Sequence, residues 1–374
     1  MSHERGSGPP AEVTGRQPAT YSERSSAPVR GAKLAAWGRS FLPRGSRLPT
    51  GRIAIALSTC ALLIPAGVAL ARSLNGFDLA SRVIDPGEIR AGGPPRDGIP
   101  ALETPPHVPV VGAPWDEDEI VLGVEVEGEA RAYPVSILNW HELVNDELGG
   151  RPILVSFCPL CGTGLVFDRR VGDRVRRFGV SGLLYRSDLL MYDRESQSLW
   201  SQISAEAVTG PSQGQRLSLV RSGMQRLADW RTEHPGSTVL SRDTGYRRRY
   251  DTTPYGGYAT SDQLYFPAPK DARYHPKMPT LGLRLPSGPA RAYPASEIVA
   301  SGGRVRERFA GRNIQVSYDP EEQVFSVDAP DDVEVIEGYW FAWMAFHPES
   351  SVYTAPASPR SGKAGETANE EIER

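Results

Sequence analysis

Cysteine is scarce: three residues in 374, and no Cys-x-x-Cys beyond Cys158 and Cys161. A site built from four cysteines is therefore excluded. Ligands added to this pair would have to be His, Met or carboxylate. The chain also lacks a His-Glu-x-x-His sequence and a phosphate-binding loop, which removes the zincin and P-loop signatures. Basic charge is short where nucleic acid would need it. Residues 73–374 carry 32 Lys/Arg against 42 Asp/Glu, so composition gives no phosphate-binding surface and no nucleic-acid role.

Acid is missing from Arg30 to Arg52, a stretch that holds six Lys/Arg. The first 51 residues are rich in Ser, Gly, Pro and Arg without apolar periodicity, and read as a disordered basic segment. Residues 53–71 then run without a charge, close to the ~20 residues that cross a bilayer core. The span 52–72 is thus expected to be a membrane anchor or a signal segment, with Ala69-Leu70-Ala71 as a possible cleavage site. A lipid-anchoring role for Cys60 fits poorly, because Thr59 precedes it and it lies mid-segment. Basic residues before the span place the N-terminus in the cytoplasm and the main domain outside. The expected location is the cell membrane with that domain extracytoplasmic, or secretion after cleavage. Residues 73–88 read as a linker and 354–374 as a disordered tail.

The full chain is 39% hydrophobic and rich in glycine and proline, and 89–353 is long enough for one domain with ample core. Two segments match. Leu122–Pro134 parallels Leu281–Pro294, and Gly150–Phe157 parallels Gly311–Tyr318. Trp230, His234-Pro235 and Val239 recur at the spacing of Trp343, His347-Pro348 and Val352. The pattern predicts a β-rich α+β domain made by tandem duplication (repeats near 121–240 and 280–353), with roughly 47 extra residues in copy one within Phe178–Leu219. Alternation around Glu127-Gly128 predicts a hairpin over Leu122–Tyr133. Pro134 opens a helix over Val135–Val144, strands flank the cysteines, and a second helix spans Met224–Glu233.

Cys158-Pro-Leu-Cys161 is followed by Gly162-Thr-Gly164 and a strand-like run rather than a helix. A thioredoxin-type site needs a helix start to lower its thiol pKa, so the pattern leans to a metal knuckle. Copper or zinc suits thiolate with imidazole. His141 is the candidate third ligand, since it and both cysteines are present in copy one and absent together from copy two. Met191 or Asp188 could be a fourth. Asp188, Tyr192 and Asp193 are candidate catalytic groups, in a segment that also offers Arg186, Ser187, Trp200 and Gln202. Bland readings stand beside these: a satisfied half-buried His141, a core Met191 and solvated turn carboxylates. His234 and His347, each beside a proline at a helix end, read as structural. Tyr246–Tyr258 reads as an exposed polar loop. The pair itself stays open between a metal site, a thiol–disulfide or electron-transfer dithiol, and a structural brace in a non-catalytic binding domain. No small-molecule or protein partner is named by these residues.

Gly92–Ala101, Ala132-Tyr-Pro134, Asn139-Trp-His141, Cys158–Gly162, Gly179–Tyr185, Ser187–Asp193 and Ser241–Tyr246 occur in an order that closely resembles the domain-of-unknown-function family numbered 3179. The likeness spans Ile89 to Tyr353. It implies an exported or membrane-anchored protein and carries no activity with it.

Overall fold

The computed structural model describes residues 73–356. The basic segment 1–51, the apolar span 52–72 and nearly all of the expected tail lie outside them. Among the described residues no helix is long and apolar enough to cross a membrane. The membrane partner expected from 52–72 is corrected accordingly: its segment lies outside the described residues, and nothing within them supports it.

Five antiparallel-rich sheets, arranged as propeller blades, build the body. Blade 1 orders Ser222–Arg226, Ile120–Val126, Glu129–Pro134, Thr238–Leu240 and His107–Pro109. Blade 2 orders Leu219–Val220, Thr163–Asp168, Arg151–Cys158, Leu143–Leu148 and Leu102–Glu103. Blade 3 orders Glu206–Ala207, Leu199–Ser201, Asp188–Asp193, Phe178–Tyr185 and Ile89–Ala91. Blade 4 orders Glu334–Tyr339, Pro279–Arg284, Ala290–Pro294 and Ser351–Val352, and blade 5 Arg304–Phe309, Arg312–Asp319 and Val324–Asp328. Every residue of Phe178–Tyr185 and Asp188–Asp193 is buried. A strand covered on both faces reads as a continuous apolar run instead of an alternation.

The expected α+β domain of two copies does not hold. The four helices among the described residues, α1 (Val135–His141), α2 (Leu227–Glu233), α3 (Ala295–Ala300) and α4 (Trp340–Phe346), have six or seven residues each. At about 1.5 Å per residue they are too short to make a layer. Nor do five blades divide into two halves. The matched segments supply hairpins to blades 1 and 4, while 178–207 makes most of blade 3. Residues 73–88 are more than a linker, since Phe77 and Leu79 are buried in one apolar cluster with Leu190 and Leu199.

Local chemistry explains the boundaries. Glu127 and Gly128 both take positive φ, the two-residue hairpin geometry that matches strand twist. The first expected helix stops at His141 because Glu142 has φ +58° and Leu143–Leu148 joins blade 2. Met224 and Gln225, expected to open the second helix, lie in the strand Ser222–Arg226.

The two matched tryptophans pack on glycines. A Cβ on Gly123 would sit 2.2 Å from the Trp230 ring, and one on Gly282 1.9 Å from the Trp343 ring. The indoles also pack against His234 and His347 as tilted pairs, with ring centroids 4.1 and 4.2 Å apart. Gly282→Ala is therefore expected to destabilise the protein by about 2–3 kcal/mol through overpacking. Gly236→Ala, where a Cβ meets nothing within 4 Å, is expected to stay within about 0.5 kcal/mol. Urea unfolding midpoints of the two variants check this.

Candidate metal centre

Strand Arg151–Cys158 ends at the first cysteine and Thr163–Asp168 returns beside it, with Thr163 paired to Cys158. The intervening turn is closed by Cys161 N–H donating to the Cys158 carbonyl at 3.1 Å. Gly162 follows at φ +60°, a conformation that glycine adopts freely. The thiols are buried and neither is in a disulfide. Blade 4 clamps the turn: Tyr339 N–H donates to the Cys161 carbonyl at 2.8 Å. A Cβ on Gly338 would meet Thr163 Oγ1 at 2.3 Å, so only glycine admits this approach.

Blade 3 brings the third group. Its hairpin turns through Arg186 and Ser187, both at positive φ, into Asp188. Neither is a glycine or asparagine, so the turn stores strain that its contacts must hold. Arg186 reaches Glu88 at 2.8 Å and the Ala345 carbonyl at 2.7 Å. Ser187 Oγ donates to the Phe266 carbonyl at 2.9 Å, and Cys161 Sγ donates to the Ser187 carbonyl at 3.4 Å. The ligand-type atoms of Cys158, Cys161 and Asp188 then lie within 4.8 Å of one another, a group that could hold a metal ion. Asp188 Oδ2 accepts from Ile203 N–H at 3.1 Å, whereas Oδ1 is buried without a hydrogen-bond partner.

Burial pushes the Asp188 carboxyl up to about 7, against the pull of the Ile203 and Leu189 amides and the two thiols. Burial also raises Cys158, and raises Cys161 further. No basic side chain is among the causes for these three groups. Asp146 shows the contrast. It is also buried, yet His107, Tyr133 and Arg131 overcome the desolvation and hold it below the usual carboxylate range. Three buried acids with no compensating cation favour either protons or a bound positive ion.

The other expected ligands are His141 and Met191. Both ring nitrogens of His141 are engaged outside the cysteine group: Nδ1 meets the Pro100 carbonyl at 2.8 Å and Nε2 the Tyr250 hydroxyl at 2.7 Å. A carbonyl only accepts, so Nδ1 carries the proton and Nε2 accepts from tyrosine. Burial lowers the His141 pKa and keeps the ring neutral. Met191 is fully buried in the apolar cluster that holds both cysteines, between Val180 and Trp200 in the ladder.

The remaining catalytic candidates are held in hydrogen bonds to neighbouring side chains and backbone. Tyr192 donates to Asp97 at 2.6 Å. Asp193 accepts from the Ser196 N–H and hydroxyl at 2.5 and 2.6 Å and from Trp200 Nε1 at 2.9 Å. Gly210-Pro-Ser-Gln-Gly214 fits the Gly-x-Ser-x-Gly pattern, yet Ser212 is buried against Ser196 and Ser198 in a turn between strands. A nucleophile elbow needs an exposed serine between strand and helix.

Two features escape the sequence reading. Glu142, beside His141, is buried, accepts from the Tyr255 hydroxyl at 2.8 Å, and is pushed up to about 7 by burial, with Asp188 adding. The loop expected to be exposed buries Tyr250 and Tyr258 instead, and the Tyr258 hydroxyl donates to the Leu160 carbonyl inside the cysteine turn. The signal for this burial is the aromatic density of the loop, with Tyr246, Tyr250, Tyr255 and Tyr258 within thirteen residues.

No curated protein and no solved structure matches the chain. A family model described as protein of unknown function (DUF3179) matches residues 96–330, and the chain belongs to that family.

Proposed function

We propose that Cys158, Cys161 and Asp188 bind one transition-metal ion, zinc in preference to copper, in an extracytoplasmic protein. The observation that carries this is the buried, unpartnered Oδ1 of Asp188 beside two buried thiols with no cation to offset them. A carboxylate is a hard donor. Its presence beside two thiolates suits borderline Zn²⁺ better than Cu(I), which favours all-soft sets. Three protein ligands leave the fourth zinc position for water or substrate, the pattern of catalytic sites. The ion would supply Lewis-acid chemistry, and Glu142 is the nearby protein carboxyl that could hold a proton. A thiol–disulfide role is less favoured, because burial raises both thiols whereas exchange needs an accessible thiolate.

Elemental analysis of the purified full chain tests the proposal. About one equivalent of zinc is expected in the native protein. Cys158→Ser/Cys161→Ser is expected to hold none at unchanged circular dichroism, and His141→Ala to keep its metal. A folded native protein that takes up neither zinc nor copper on reconstitution rules the proposal out.

A further inference from the structure

A cavity of about 360 Å³ lies against the cysteine turn and the blade 3 hairpin. Leu160, between the two cysteines, and Leu189, next to Asp188, form part of its wall, with Leu183, Leu184 and Phe266 around them. The strand Phe178–Tyr185 makes this hollow by a bulge: its register against Asp188–Asp193 shifts between Val180 and Leu183. Ser181 and Gly182 are both left without a partner on Asp188–Asp193, and extra residues of this kind bend a strand locally. Gly182, inside the bulge, has φ +71°, and a Cβ there would fall 2.2 Å from the Pro94 carbonyl.

Glu142 is the sole charged side chain in the lining. Tyr255 donates to its Oε1, and among the described residues no hydrogen bond reaches Oε2. Apolar walls with a few polar groups, here Glu142, Tyr255 and Tyr265, are the usual composition of a small-molecule site. At roughly 30 Å³ per non-hydrogen atom, the liquid-water share, the space takes about a dozen atoms.

We infer that this cavity binds a small primary alkylamine as its ammonium ion, with the alkyl body among the leucines and the cationic head on Glu142. Charge complementarity decides the head group. The Glu142 carboxyl faces the cavity, ionised at pH 8, and no basic residue is in the lining. A carboxylic acid would set like charge against Glu142, and an alcohol would leave that charge uncompensated. The inference rests on the metal reading only in making the amine a substrate; binding itself requires the cavity and Glu142 alone.

Calorimetric titration of the full chain with n-hexylamine, n-hexanol and hexanoate tests it, run on zinc-loaded and chelator-treated protein at pH 8. Hexylamine is expected to bind at least about tenfold more tightly than hexanol, with hexanoate weakest. Affinity is expected to rise about fourfold per methylene from butylamine to hexylamine. Glu142→Gln is expected to bring the amine-to-alcohol ratio near one while zinc content is retained. Leu184→Trp, which fills the cavity, is expected to abolish binding of both. Equal binding of hexanoate and hexylamine, or a ratio unchanged in Glu142→Gln, overturns the inference. Amine selectivity without zinc uptake keeps the cavity and overturns only the metal reading; zinc uptake without selectivity does the reverse.

Discussion

Zinc affinity is expected to fall about a thousandfold for each unit of acidification below pH 7, and about a hundredfold per unit above it. Each ligand must lose its proton before it binds, and each proton displaced contributes one decade of affinity per pH unit. Both thiols are raised by burial and stay protonated across this range, so they set two decades throughout. Asp188 titrates at about 7, which adds the third decade only below that point. Asp188→Asn removes the break and is expected to leave two decades per unit across the whole range. Competition against a chelator of known pH dependence, from pH 6 to 8, measures both slopes. One decade per unit in the native protein would mean that a thiol is already ionised, and an unchanged break in Asp188→Asn would take Asp188 out of the ligand set.

The reach of sequence reasoning follows from sequence separation. Cys158 and Cys161 are two residues apart between apolar runs, and their turn is a local object, so its knuckle form could be anticipated. Asp188 could be named only as one of several carboxylates. What brings it to the sulfurs is the abutment of blade 3 on blade 2, and no periodicity encodes that. His141 misled for a related reason. Its absence from the matched segment made it a companion of the cysteines, whereas the loop that returns with Thr244 and Tyr250 claims its Nε2.

The blade count was hidden because sheets are assembled from distant strands. Ile89–Ala91 closes blade 3 and Leu102–Glu103 closes blade 2, each from a run of two or three residues too short to show alternation. Glu142 was invisible because the apolar Leu143 and Val144 extend a helical pattern across it. The positive φ that turns the chain there is paid by tertiary contact, since the residue type gives no sign of it.

In the metal-free protein, Asp188→Asn is expected to be more stable than the native chain by about 4 kcal/mol at pH 8, and by less than half of that at pH 5. A carboxyl raised from 3.8 to about 7 on folding binds more protons in the folded state across that window. Stability therefore falls as pH rises from about 4 to about 7, and the penalty is complete above the folded value. At 1.36 kcal/mol per unit it amounts to about 4 kcal/mol, which the uncharged amide does not incur. Glu142, at about 7, and Glu337, buried and pushed up to about 8 by desolvation, give the same sign in both proteins. The difference between the two chains thus reports Asp188 together with the smaller part of the Glu142 shift that Asp188 supplies. Zinc reverses the order, because it binds the folded native site and stabilises it in proportion to the logarithm of its concentration over Kd. Urea unfolding in chelator at pH 5, 6, 7 and 8, repeated with zinc, gives both comparisons. Metal-free curves that run parallel from pH 5 to 8 would show that Asp188 is already compensated, and the argument for a cation at this site would fall with it.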